Sequence, residues 1–204
     1  MITIVDYGMG NLRNVLRACG EIGVMASVTS DPGVVRSARW LILPGVGAFG
    51  EAVRRIDDMG LRRPILDHAK AGRPLLGICL GMQLLLDSSE ESPGASGLGL
   101  IPGKVRILTG NVKVPHIGWN DVIPVSPTPL FPDPKERPVT YFVHSYYVGM
   151  IPETVAVTEY GVRFSASVRN GNVYGVQFHP EKSQVAGLNL LRRFTLIPPA
   201  AGRP

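Results

Sequence analysis

The stretch that most constrains this chain runs from Leu75 to Asp87, LLGICLGMQLLLD. Leu75 to Ile78 is a short apolar run with the length of a buried strand, and Met82 to Leu86 reads as a helix. Between them, Gly77-Ile78-Cys79-Leu80-Gly81 forms the G-x-nucleophile-x-G pattern of a strand-to-helix elbow, with a thiol as the nucleophile. Such a turn strains its central residue, and a Cβ on either flank would collide with neighbouring backbone, so both flanks are glycine. A cysteine at a helix N-terminus also feels unpaired N–H groups and the positive end of the dipole, which favour a thiolate. A small buried cysteine in a packed core would need neither glycine.

The chain before the elbow alternates strands and helices. Ile2–Val5, 24–28, Trp40–Leu43 and 74–78 read as strands. Asn11 is placed to cap a helix from Leu12 to about Cys19, closed by Gly20, and 48–58 and 64–70 read as further helices. This order predicts right-handed crossovers and a mostly parallel sheet between two helical layers, a three-layer α/β fold. Ligands of such sheets bind beyond the carboxyl ends of the strands. Asp6-to-Gly10, Pro44-to-Gly47 and Cys79 all follow strand ends and are expected along one edge. Gly8-Met9-Gly10 lacks the third glycine of the dinucleotide fingerprint, so no nucleotide cofactor is implied. After Asp87 the texture changes: residues 88–99 form a polar loop, and 100–174 carry short strands separated by Pro and Gly, as in antiparallel additions to the main sheet. The proline-rich tract 124–138 reads as an exposed excursion. Residues 173–178 form a last strand and 184–194 a last helix. Residues 1–197 are expected to form a single domain, with 198–204 a frayed tail.

The 204 residues suffice for one α/β domain with a proper core. The net charge of +5 comes from scattered arginines rather than a basic tract, which does not point to nucleic acid. Two cysteines, Cys19 and Cys79, argue against a disulfide framework and for a cytoplasmic protein. The first residues read as a strand rather than a signal peptide, and no apolar run reaches the about 18 residues of a membrane span.

A thiol nucleophile needs a base, and the chain has four histidines. His68 sits among charged neighbours on a helix and reads as a surface residue; His116 and His144 read as loop residues. His179 follows the strand 173–178 and is therefore expected at the same edge as Cys79. Glu181, two residues on, would share a side of extended chain with it, and Pro180 stiffens the pair. A carboxylate on one ring nitrogen fixes the tautomer and leaves the other free to exchange a proton with the thiol. The triad order is Cys79, His179, Glu181.

Gly77-Ile78-Cys79-Leu80-Gly81-Met82-Gln83 and His179-Pro180-Glu181 together resemble the class I, triad-type glutamine amidotransferases. The motifs at 6–11, 44–47, 115–120 and 143–146 are similar to those of one branch, the glutaminase subunits of imidazole glycerol phosphate synthases of histidine biosynthesis. Ser145 stands where that branch more often has Thr. The resemblance implies glutamine hydrolysis through a Cys79 thioester, with an oxyanion hole from the Leu80 amide and from Val46 or Gly47. It implies a glutamine site made by Gln83, Glu91, Ser145 and Tyr146, and no metal or cofactor. It also implies a heterodimer with a (β/α)₈-barrel cyclase, docked through Asn11, Trp119, Asn120, Tyr141 and Lys182. The cyclase uses the ammonia to make imidazole glycerol phosphate and AICAR.

Overall fold

The computed structural model describes residues 1–199. In chain order the elements are β1 (Ile2–Val5), α1 (Leu12–Glu21), β2 (Ala26–Thr29), α2 (Pro32–Ser37), β3 (Trp40–Leu43), α3 (Phe49–Asp58), α4 (Arg62–Lys70), β4 (Leu75–Ile78) and α5 (Leu80–Leu84). They continue with β5 (Ser88–Ser89), β6 (Lys104–Ile107), β7 (His116–Asp121), β8 (Ile123–Pro124), β9 (Val139–His144) and β10 (Tyr146–Val148). The chain closes with β11 (Thr154–Tyr160), β12 (Val162–Asn170), β13 (Val173–Val176), a 3₁₀ turn at Pro180–Lys182 and α6 (Gln184–Thr195).

The main sheet runs β2-β1-β3-β4-β13-β12-β11-β8. Its first five strands are parallel and its last three are joined by antiparallel pairings. Both faces are buried, which explains why the parallel strands read as unbroken apolar runs. Ile2, Ile4, Trp40, Ile42, Leu76 and Ile78 meet α1 and α6 on one face. Val5, Leu41, Leu43 and Leu75 meet α2, α3, α4 and α5 on the other. The stripe Phe49, Ala52, Val53 and Ile56 shows how α3 earns its place: spacings of three and four put all four on the core side.

A second layer of pairing covers the carboxyl edge. β7 and β9 form an antiparallel ribbon with His116 opposite His144 and Trp119 opposite Tyr141. Its outer face leaves Ile117 58% and Trp119 48% exposed, while Phe142 and His116 are buried beneath.

Several sequence expectations shift. α2 is absent from the reading above; Asp31 caps it, accepting from the Gly33 and Val34 amides. The second strand begins at Ala26, not at 24. α1 passes through Gly20 to Glu21, and the Asn11 side chain makes no capping bond. The helix after the elbow starts at Leu80 and ends at Leu84. His68 is fully buried, with Nε2 3.0 Å from the Pro74 carbonyl, because Pro64, Ile65 and His68 share the inner face of α4. His116 and His144 lie on strands, not loops. The tract 124–138 is exposed over much of its length, as expected, but it is anchored: Leu130 and Phe131 are buried, and a two-pronged ion pair ties Glu136 to Arg193 of α6 at 2.6 and 2.8 Å. The frayed-tail expectation falls mostly on residues 200–204, outside the described chain.

Candidate active site

The elbow is built as the spacing demands. Cys79 has φ 54°, ψ −110°, strained for a residue with a side chain. A Cβ on Gly81 would stand 1.8 Å from the Leu43 carbonyl oxygen, and one on Gly77 would stand 2.6 Å from that of Gly81. Any other residue there would force β3, β4 and α5 apart. The Cys79 amide is tied to the Val176 carbonyl at 2.8 Å, and β13 pairs in parallel with β4. The chain leaving β13 therefore emerges beside the nucleophile, which is how residues a hundred positions apart meet.

His179 and Glu181 are brought together by a route other than extended chain. Pro180–Lys182 is a 3₁₀ turn, and within it Glu181 Oε1 lies 2.8 Å from His179 Nδ1. Both side chains are almost wholly buried. Burial works against charge on His179, but the Cys79 sulfur and the Glu181 carboxylate outweigh it and raise its pKa to about 10. His179 Nε2 and Glu181 Oε2 find no hydrogen-bond partner among the described residues.

Cys79 and His179 share one cavity of about 250 Å³ with Val46, Gly47, Leu80, Gln83, Glu91, Val143, His144, Ser145 and Tyr146. Every triad, oxyanion and glutamine-site residue expected from the sequence lines this space, except Glu181, which lies behind His179. The Leu80 amide opens α5 and so has no intrahelical acceptor. Gln83 Nε2 donates to the Tyr146 carbonyl at 2.9 Å and to Gln177 Oε1 at 3.1 Å. Both its hydrogens are thus taken, which leaves Oε1 to accept from a ligand. Glu91 accepts from the Phe49 amide at 2.7 Å, pinned to the N-terminus of α3.

The sequence reading missed two kinds of residue. Gln177 is fully buried, and its Nε2 lies 3.7 Å from Cys79 Sγ. Its place two residues before His179, at the end of an apolar strand, was the available signal: a buried amide there needs a partner. His144 lines the cavity and is coupled to His116, with Nε2 3.0 Å from His116 Nδ1 and Nδ1 2.9 Å from the Tyr146 carbonyl. Burial, then His116, then His179 push the His144 pKa down to about 3 against the Tyr146 bond, and burial lowers His116 to about 4.

Of the expected docking residues, three come together. The Trp119 ring meets Tyr141 edge-on at 6.0 Å, and the Lys182 ammonium sits 5.6 Å over the Tyr141 ring. The Tyr141 carbonyl also takes the His179 amide at 2.9 Å, so this outer cluster abuts the triad. Asn120 lies on the other side of the ribbon from this cluster. It shares the inner face of β7 with His116 and donates its amide to the Glu159 carbonyl at 2.9 Å. Asn11 is half-buried just beyond β1 at the same sheet edge.

A strained cysteine elbow with a buried His–Glu pair on this sheet defines a class, and the chain belongs to it: the family described as glutamine amidotransferase class-I matches residues 3–197. Within that family it is 51% identical over 199 residues to the imidazole glycerol phosphate synthase subunit HisH of Methanothermobacter thermautotrophicus, spanning 97% of this chain and 98% of that protein. It is 48% identical to the protein of the same name from Moorella thermoacetica, spanning 95% and 93%. Among solved structures, a glutamine amidotransferase superposes with a TM-score of 0.76 at 19% identity, covering 95% of this chain and 97% of that one. PurLQS from Thermotoga maritima superposes at 0.75 and 22%, covering 95% and 96%. At those identities the superpositions speak for the fold alone.

Proposed function

We propose that this chain is the cytoplasmic glutaminase subunit of an imidazole glycerol phosphate synthase, working as one domain over residues 1–197. It hydrolyses glutamine and passes the ammonia to a (β/α)₈-barrel cyclase subunit in histidine biosynthesis. The reading is carried by one juxtaposition: Cys79 and the His179–Glu181 pair share a cavity with Gln83, Glu91, Ser145 and Tyr146. At about 250 Å³ the cavity is slightly smaller than the roughly 300–1,000 Å³ of drug-sized ligand pockets, in keeping with a single amino acid.

The Cys79 thiolate adds to the side-chain amide carbon of glutamine, forming the C–S bond. The oxygen that gains charge is met by the Leu80 amide and by an amide of Val46 or Gly47. His179 gives its proton to the amide nitrogen, the C–N bond breaks, and ammonia leaves behind a thioester. His179, now neutral, takes a proton from water as that water attacks; the C–S bond breaks and glutamate departs. Glu181 holds the imidazole in register and stabilises its charge. Gln83 Oε1 suits the α-ammonium group, with Glu91 beside it.

Free ammonia in water near neutral pH is mostly protonated and no longer a nucleophile, so release must wait for an acceptor. Trp119, Tyr141 and Lys182 offer an aromatic anchor and a cation next to the triad, a composition suited to an interface hot spot. Docking favours a Val46–Gly47 loop with its amide turned to the oxyanion, a population shift. A missing oxyanion donor costs about 10²–10³ in rate, so glutamine turnover should rise by that order when cyclase and its ligand are added. Cys79→Ala should abolish turnover under both conditions. Full activity in the chain alone would refute the coupling, and activity surviving in Cys79→Ala would remove the nucleophile.

A further inference from the structure

We propose that His116 and His144 are positioning residues for glutamine binding, forming a one-way hydrogen-bond chain that holds the Tyr146 carbonyl in the wall of the cavity. The inference rests on the glutaminase reading above.

The direction of the chain follows from an atom that can only accept. The Tyr146 carbonyl oxygen stands 2.9 Å from His144 Nδ1, so that nitrogen must carry a hydrogen. With the ring neutral, His144 Nε2 is bare and accepts. Its partner at 3.0 Å is His116 Nδ1, which must therefore donate. Neutral His116 is then bare at Nε2, and the group beside it is a donor, the Asn120 amide nitrogen at 3.5 Å. Asn120 → His116 → His144 → Tyr146 is the assignment in which each contact has one donor and one acceptor while both rings stay neutral. A second hydrogen on either ring would set two donors face to face, with no carboxylate partner for either ring among the described residues.

The chain begins and ends at places that matter. Its first member is next to Trp119 in β7, with its amide also on the Glu159 carbonyl. Its last acceptor also receives Gln83 Nε2 at 2.9 Å; Gln83 in turn donates to Gln177, whose amide approaches Cys79 Sγ. Register makes the link possible. His116 and His144 are directly opposite on the β7–β9 ribbon, so both point to its inner face. His116 is clamped between Phe142, with ring centres 5.0 Å apart, and Tyr160, at 4.0 Å. Stacking and hydrogen bonding are thus two separable things that His116 does.

Two substitutions separate them, assayed for glutamine turnover by the chain with its cyclase partner. His116→Phe keeps a ring between Phe142 and Tyr160 but cannot donate to His144. His116→Asn loses the ring but keeps an amide where Nδ1 stands. The expected result is a glutamine KM raised about tenfold in His116→Phe with kcat little changed, the signature of lost ground-state binding equal to about one hydrogen bond. His116→Asn should recover most of that loss, staying within about threefold of the unmodified KM. The reverse order, or equal impairment of both, would overturn the chain and leave a packing role. Should His116→Phe fail to fold, ring ¹⁵N correlations of the unmodified protein decide: a hydrogen on His144 Nδ1 supports the chain, and one on Nε2 overturns it. Absence of glutamine turnover in the unmodified complex would instead refute the glutaminase reading, and the ¹⁵N result would still judge the chain.

Discussion

His179 and His144 line the same cavity, both buried, and their surroundings push their pKa values in opposite directions. His179 has a carboxylate at 2.8 Å and the Cys79 sulfur for company, and its pKa is raised. His144 has a carbonyl at 2.9 Å and a second imidazole at 3.0 Å, and its pKa is lowered. Burial penalises charge on both, so burial does not distinguish them. The difference lies in the partner: an anion repays the cost of a buried cation, whereas a carbonyl shared with a neighbouring imidazole does not. One histidine is thereby suited to moving protons and the other to holding atoms still.

The largest effect expected from disturbing this contrast is on the charged side. His179→Ala should cut glutamine turnover by about 10³ or more, since it removes the group that carries both protons. Glu181→Gln keeps the shape and removes the charge. Its cost should be smaller than that of His179→Ala, because the imidazole that carries the protons stays and only its orientation and charge support are lost. Steady-state kinetics at matched complex formation would show it, and a Glu181→Gln enzyme as inactive as His179→Ala would mean that the carboxylate does more than orient and stabilise.

A smaller effect should appear in stability against pH. His68, His116 and His144 have folded pKa values of about 4, 4 and 3, against 6.5 for a free imidazole. Between those values the unfolded chain binds more protons than the folded one, so stability must fall as pH drops below about 6.5. Burial is the first cause of each shift, with Arg73 contributing at His68 and the neighbouring imidazoles of His116 and His179 at His144. His179 has the opposite sign: its contribution is complete below about 6.5 and is lost as pH rises through about 10. Urea unfolding at pH 7, 6 and 5 should show a loss on the order of a few kcal/mol. A midpoint that does not move between pH 7 and 5 would show that the three imidazoles are not held neutral.

The two histidines also differ in how visible they are in the sequence. His179 is announced by neighbours: an apolar strand before it, Glu181 two residues after it, and an elbow whose glycines are dictated by nearby backbone. Four of the five parallel strands follow from the βα alternation, which needs no knowledge of distant contacts. His144 depends on strand register, and its partner His116 is 28 residues away. The usual period-two signal is inverted there. Residues 139–143 read as a strand in sequence, but polar His116, Asn120, Thr140 and His144 face inward while apolar Ile117, Trp119 and Val139 face outward, so the partner strand at 116–121 does not. His68 misleads for a related reason: it sits among charged residues in sequence, yet on the helix it falls in line with Pro64 and Ile65. Gln177 hides in an apolar run because the amide that satisfies it, Gln83, comes from the other side of the elbow.

The contrast can be read directly from a ring ¹H–¹⁵N correlation spectrum of the protein near pH 7.5, with His179 and His144 assigned. Hydrogens are expected on both nitrogens of His179 and on Nδ1 alone of His144. The same charge state on the two rings, whether both neutral or both cationic, would contradict this contrast.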